Sequence, residues 1–144
     1  MYRQVLVHSN DTPLQRIFWL FRETDPIQEY ELITVTYCLG PSSFLATRTL
    51  KQLANDEGSK YLHGGSVLLK GFYVDDFMGG AETIYEATQQ RKELGELLVS
   101  GGFQLRKWTA NETKVLEGIP IDQIGTQSAI RFDSNEAVKT LDIA

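Results

Sequence analysis

The chain has 144 residues, of which 42% are hydrophobic and 23% charged, an ordinary globular composition with enough length for a core. The net charge of −5 argues against a stand-alone nucleic-acid binder, because such proteins usually carry a basic excess. A single cysteine, Cys38, excludes an internal disulfide. Together with the two histidines of the chain, His8 and His63, it gives no zinc-site spacing. No apolar run reaches the length of a membrane span, so we expect no membrane partner. Neither a disulfide nor a signal peptide points to secretion, so we expect an intracellular protein.

The first part of the chain predicts three β-strands. Residues 2–8 alternate between apolar and polar side chains, residues 14–21 are apolar and aromatic, and residues 30–37 are rich in β-branched side chains. Turn formers separate them, so we expect an antiparallel meander.

The pattern then changes to helices with a few strands between them. Residues 41–55 have apolar side chains at helical spacing, and residues 81–100 form the clearest helix, ended by Gly101 and Gly102. We predict strands at 66–72 and 103–108 and mostly loop from 109 to 133. Residues 138–143 could begin a final strand.

These elements predict an α+β fold, a mainly antiparallel sheet with two helices packed on one face. We find no repeat, linker or low-complexity segment, so a single domain spanning 1–144 is expected.

Two adjacent carboxylates, Asp75 and Asp76, follow the predicted strand at 66–72, and two glycines follow at 79–80. The predicted arrangement is a strand, a tight turn carrying both acids, and a short return strand. Two charges about 4 Å apart repel by about 1 kcal/mol in water and about 4 kcal/mol at a protein surface. The pair therefore suggests a divalent cation held by oxygen ligands. A solvated acidic turn explains the same residue types, because aspartate favours turns.

Residues 73–76, Tyr-Val-Asp-Asp, resemble the Tyr-x-Asp-Asp box of reverse transcriptases. Residues 1–5 resemble the segment after the first catalytic aspartate of that family, and 36–50 the loop and helix that cradle template and incoming nucleotide. Residues 101–108 resemble the next palm motif, and 138–141 the start of the primer-grip hairpin. This ordered set is most similar to the polymerase of BEL/Pao long-terminal-repeat retrotransposon polyproteins.

The resemblance implies a partial palm of a polymerase that transfers nucleotides to a DNA 3′ end with two divalent metals, Mg²⁺ or Mn²⁺. These metals belong to the full-length enzyme, and we expect their binding by this chain alone to be weak or absent. Asp75 would be the main metal-binding carboxylate and Asp76 its partner. Tyr2 would pack against the sugar of the incoming nucleotide, Tyr73 would lie beside the primer end, and Lys107 would lie near the leaving pyrophosphate. The implied partners are the RNA or DNA template–primer, the deoxynucleotide and the remainder of the polyprotein.

The chain also departs from the family pattern. The first catalytic aspartate would precede Tyr2, and the fingers, thumb and connection are absent, so we expect the chain to be inactive alone. Cys38 stands where the family usually has glycine, and glycine lost at a tight turn strains the backbone. Asp142 also replaces a usual glycine, and the order Pro-Ser-Ser at 41–43 is unusual.

Three hypotheses remain open from the sequence. The first is the enzyme fragment described above. The second is a non-catalytic retroelement relic or domesticated palm that acts only as a binding or structural module. The third is an unrelated α+β binding domain with an acidic turn.

Overall fold

The structure is a computed structural model that describes residues 1–129, without the side chains of 126–129. The chain forms two compact units, Met1–Thr49 and Leu50–Ala144, and the boundary falls within helix α1 (Ser42–Glu57). The predicted α+β class is confirmed, with helices and short strands both present. The strands of residues 1–129 pair into three two-stranded sheets, two antiparallel and one parallel.

The first unit contains one antiparallel ladder, between β1 (Arg16–Trp19) and β2 (Gln28–Glu31). The guanidinium of Arg16 forms ion pairs across it with Glu29 at 2.8 Å and Glu31 at 3.2 Å. A single antiparallel bridge between Leu6 and Thr34 is all that is observed of the first predicted strand. The predicted meander is therefore present in a shortened form.

Two strand boundaries predicted in this unit are wrong. Tyr2–Gln4 is a 3-10 turn, so the strand predicted at 2–8 survives only in the bridge at Leu6. The strand predicted at 30–37 ends at Glu31, and beyond it the side-chain amide of Gln15 binds the backbone. Its Nε2 donates to the carbonyl oxygens of Leu32 and Thr34, and its Oε1 accepts from the amide of Thr36. On the other edge of this segment, backbone bonds still join Val7 to Ile33 and Val35 to Val5.

The second unit is built around helices α2 (Leu62–Lys70) and α3 (Ile84–Ser100) together with the end of α1. The predicted helices at 41–55 and 81–100 are confirmed as α1 and α3. Thr83 caps α3, since its Oγ1 accepts from the amide of Glu86. The core consists of apolar side chains from these helices and the segments after them: Leu50, Ala54, Leu68, Leu94, Leu97, Leu98, Phe103 and Leu116.

The buried strand predicted at 66–72 is wrong, because residues 62–70 form helix α2. A short apolar run fits a buried helix as well as a buried strand. The packing of Gly64 against another helix favours the helix over the strand. A Cβ at Gly64 would lie 2.7 Å from the carbonyl carbon of Glu93, so α2 approaches α3 backbone to backbone.

The strand predicted at 103–108 is also wrong except at its last residue. The amide of Phe103 donates to the carbonyl of Leu98 at 2.9 Å and closes the end of α3, and Lys107 has a φ of 58° that no strand contains. The observed strand β5 (Trp108–Ala110) begins at the last residue of the predicted strand.

The region predicted as mostly loop, 109–133, contains more regular structure than expected. Strand β5 pairs in parallel with a later strand (Ile124–Ala129, called β6 below), and two 3-10 turns lie between them. The strand expected at 138–143 lies outside the described residues, as does Asp142. No helix within residues 1–129 is long and apolar enough to cross a membrane.

Candidate functional site

The two acids lie on a two-stranded hairpin formed by β3 (Phe72–Tyr73) and β4 (Asp76–Phe77). Phe72 pairs with Phe77 and Tyr73 with Asp76, so Val74 and Asp75 form a two-residue loop. The predicted tight hairpin is confirmed, with the difference that Asp76 begins the return strand instead of lying in the turn.

Aromatic packing fixes the base of the hairpin. The rings of Phe72 and Phe77 lie 5.4 Å apart, and the amide of Met78 donates to the carbonyl of Gly71 at 2.8 Å. A Cβ at Gly71 or Gly79 would come within 2.5 or 2.4 Å of the Phe77 ring, so both glycines leave the space that this ring fills. The ring therefore holds the strands in a defined position at the end of α2.

The tip of the hairpin leaves both carboxylates accessible. Paired residues share one face of a ladder and successive residues alternate, so Tyr73 and Asp76 lie opposite the two phenylalanine rings. Tyr73 is 64% exposed, and Asp75 and Asp76 are also exposed. Within residues 1–129 neither aspartate side chain has a hydrogen-bond or ion-pair partner, so their oxygens are free to bind a cation.

Val74 carries backbone strain at this tip. Its φ of 56° lies in the left-handed region, which β-branched residues rarely adopt and where hairpin loops usually have glycine or asparagine. The surrounding ladder and ring packing hold this conformation.

The donor set fits a small divalent cation in part. Within the part of the chain that the structure describes, no three His, Cys, Asp or Glu side chains come together. Magnesium is commonly held by one or two carboxylates, with waters and substrate phosphates as the other ligands. Asp75 and Asp76 could supply these carboxylates, with the remaining oxygens from water, a ligand or another polypeptide segment.

Tyr2 lies in the first unit, beside the start of α1. Its hydroxyl is 3.2 Å from the Oγ of Ser43, and the Oγ of Ser42 donates to the carbonyl of Thr36. The segment at the start of the chain thus contacts the start of α1 within this unit. Cys38 has a φ of 68° in a turn.

Lys107 lies in the same unit as the hairpin and is exposed. Its φ of 58° places it in a tight bend immediately before β5. Among residues 1–129, no hydrogen bond or ion pair joins its ammonium group to Asp75 or Asp76.

Glu93, which no local pattern in the sequence singles out, positions the helix that leads into the hairpin. One carboxylate oxygen of Glu93 accepts from the amides of His63 and Gly64, at 2.7 and 3.0 Å. It therefore caps α2 from the neighbouring helix, a role that local capping patterns do not reveal, since Tyr61 at the N-cap offers no side-chain bond. Helix α2 then ends at Gly71, one residue before β3.

Comparisons with known proteins add no assignment. No family model, curated protein or solved structure matches the chain.

Proposed function

We propose that the chain is part of the palm of an RNA-directed DNA polymerase from a BEL/Pao-type retroelement polyprotein. The observation that carries the proposal is the hairpin that presents Asp75 and Asp76 on a base packed by Phe77. Both acids are exposed, and neither has a hydrogen-bond or ion-pair partner among the described side chains. Such rigid presentation suits carboxylates that must meet a metal and a phosphate at a defined place.

The residues would divide the work of nucleotidyl transfer. Asp75 and Asp76 would hold Mg²⁺ or Mn²⁺, which when bound supplies positive charge to the nucleotide phosphates. Tyr2 would support the sugar of the incoming nucleotide, and its hydrogen bond to Ser43 restrains the ring. Tyr73, exposed on the same face as Asp76, would contact the primer end.

Lys107 would act on the phosphates as a free cation. Template–primer, deoxynucleotide and the rest of the polyprotein are the proposed partners, and the proposed location is intracellular.

Paramagnetic Mn²⁺ tests the metal site directly. We expect low concentrations of Mn²⁺ to broaden the NMR signals of residues 73–77 before others, and dTTP to strengthen this effect because its phosphates add ligands. Asp75→Asn or Asp76→Asn should weaken Mn²⁺ binding by at least about tenfold, a loss of about 1.4 kcal/mol. Asp122→Asn, an equal change of charge at another exposed acid, is the control. Broadening at the hairpin no stronger than at Asp122 would contradict the proposal.

The isolated chain should not extend a primer on an RNA template. A two-metal site needs a further bridging carboxylate, and none joins Asp75 and Asp76 within residues 1–129. Extension by the purified chain that Asp75→Asn abolishes would show that this prediction is wrong while leaving the proposed chemistry in place.

A non-catalytic binding or structural module is the second candidate. The large exposed apolar side chains of the β1–β2 region favour it, since Phe18 and Phe21 are 73% and 77% exposed. Folded protein without preferential Mn²⁺ binding at the hairpin would support this candidate over the polymerase palm.

A further inference from the structure

The second unit contains an open cleft of about 300 Å³ between one face of α3 and the segment after β5. Its α3 side includes Arg91, Gly95 and Glu96, and Trp108 and Gln123 lie on the other side. No residue of the carboxylate hairpin lines it, so it is separate from the proposed metal site. Its volume is at the lower end of the range for small-molecule sites.

Gly95 keeps the floor of this cleft open. It lies in the interior of α3, where glycine is destabilising relative to alanine. A Cβ at Gly95 would meet no atom within 4 Å, so packing within the described chain does not require glycine there. This contrasts with Gly64 of α2, where close helix packing leaves no room for a Cβ. The space at Gly95 is therefore available to a ligand.

Arg91 places an incompletely paired cation at the cleft. Its Nη2 donates to the carbonyl of Glu117 at 3.1 Å, which fixes the guanidinium group. Its buried Nε has no hydrogen-bond partner, and no carboxylate forms an ion pair with Arg91 in the part of the chain that the structure describes. Burial lowers the pKa of Arg91, which reflects the cost of desolvating this charge. A buried, unpaired donor of this kind calls for an acceptor.

The remaining lining indicates the kind of ligand. Lys92 adds a second positive charge and Glu96 the one negative charge among the lining residues, so cations are in excess. The indole of Trp108, half-buried, and the side chain of Ile119 provide an apolar wall. Aromatic side chains favour flat partners.

We propose that this cleft binds a small organic anion with a flat apolar body, its carboxylate or phosphate oxygen on Arg91 and its ring against Trp108. A small shift of the Arg91 side chain lets the anionic oxygen supply the acceptor that Nε lacks. Carboxylate and phosphate share this chemistry because the planar carboxylate and the tetrahedral phosphate both present anionic oxygen acceptors to a guanidinium group.

Fluorescence of Trp108 can test the proposal with simple probes. In a Trp19→Phe background Trp108 is the single tryptophan of the chain. We expect benzoate and phenyl phosphate to change its emission with a Kd of about 1 mM, given the small size of the probes. Benzyl alcohol, with the same ring and no charge, should bind at least about tenfold more weakly if the cation drives recognition. Comparison of the two anions shows which oxygen group the cleft prefers.

Variants separate the cleft from non-specific binding. Arg91→Gln should raise the Kd of both anions by at least about tenfold, whereas Arg106→Gln, an equal loss of charge at an exposed position outside the cleft, should not. Gly95→Leu should abolish binding by filling the floor, with the thermal midpoint retained as evidence of folding. If Gly95→Leu does not fold, the comparison of Arg91→Gln with Arg106→Gln decides the question.

Equal affinity for benzyl alcohol and benzoate, unchanged affinity in Arg91→Gln, or no response at tens of millimolar would each overturn the proposal. Because no cleft residue belongs to the hairpin, these outcomes are independent of Mn²⁺ binding by Asp75 and Asp76.

Discussion

Three residues other than glycine, Cys38, Val74 and Lys107, adopt left-handed backbone conformations in residues 1–129. Each such residue costs on the order of 1–3 kcal/mol, and the surrounding structure must hold it in place. At the residue scale, one of the three, Val74, lies in the loop of the carboxylate hairpin, directly before Asp75.

Cys38→Gly should stabilise the protein. Its φ of 68° suits glycine, and the cysteine side chain is exposed, so little packing is lost. We expect a gain of about 1 kcal/mol, the relief of left-handed strain less the entropy that glycine adds to the unfolded chain. Urea denaturation measures it. Cys38→Ala, which keeps a Cβ, is the control, and an equal gain in both variants would contradict the role of the backbone.

Some residue-scale features could be predicted from the sequence and others could not. The acidic tip was predictable because two aspartates between an apolar run and a glycine pair favour a turn. The strain at Val74 was not, since β-branched residues almost never have positive φ, and only the ladder between Tyr73 and Asp76 imposes it.

At the scale of elements, helices α2 and α3 contain glycines with opposite structural roles. Gly64→Ala should destabilise the protein by about 1–3 kcal/mol, because its Cβ would overlap the backbone of α3 at Glu93. Gly95→Ala should stabilise it by about 0.5–1 kcal/mol, since that Cβ meets nothing within 4 Å and alanine is the better helix former. Thermal denaturation followed by circular dichroism compares the two. A loss of stability in both variants would mean that α3 packs differently around Gly95.

Helix α3 could be predicted from the sequence, whereas helix α2 could not. Helix α3 is long and periodic, has a capping threonine and ends in two glycines, and each of these signals is local in the sequence. Helix α2 has nine residues, no local cap and a glycine pair that is typical of a strand boundary. Its helical state depends on Glu93, which lies about thirty positions away, and a single sequence does not reveal that contact.

At the scale of the whole molecule, the first unit exposes an unusual amount of apolar surface. Phe18, Trp19, Phe21 and Ile27 are all more than half exposed, and the short β1–β2 ladder leaves strand edges open. Exposed apolar strands promote association between chains. The acidic net charge of −5 opposes it only by weak, screened repulsion.

We therefore expect the purified chain to associate in a concentration-dependent way. Phe18→Thr should reduce this association, because it removes a large exposed ring from β1 and keeps a residue that favours strands. Sedimentation velocity at several concentrations measures the effect. Ile121→Thr, at a side chain 89% exposed in the second unit, is the matched control, and an equal effect of both variants would contradict a specific role for β1.

The fold class was predictable at this scale because period-2 and helical patterns follow one another along the chain. The separation of the strands into three small sheets was not, since Gln15 and Phe103 end or replace strands by contacts that no periodicity encodes. The candidate site follows the same division. Its acids are visible in the sequence, and its support by Phe77 and two glycines is visible only in the structure.

The carboxylate of Glu93 also affects how the amide protons of α2 exchange with solvent. The first amides of a helix normally have no acceptor within it and exchange almost as fast as those of a coil. The amides of His63 and Gly64 instead have the Glu93 carboxylate as an acceptor, so we expect them to exchange more slowly than uncapped first-turn amides. Their protection from exchange thus reports the contact between α2 and α3 beneath the hairpin.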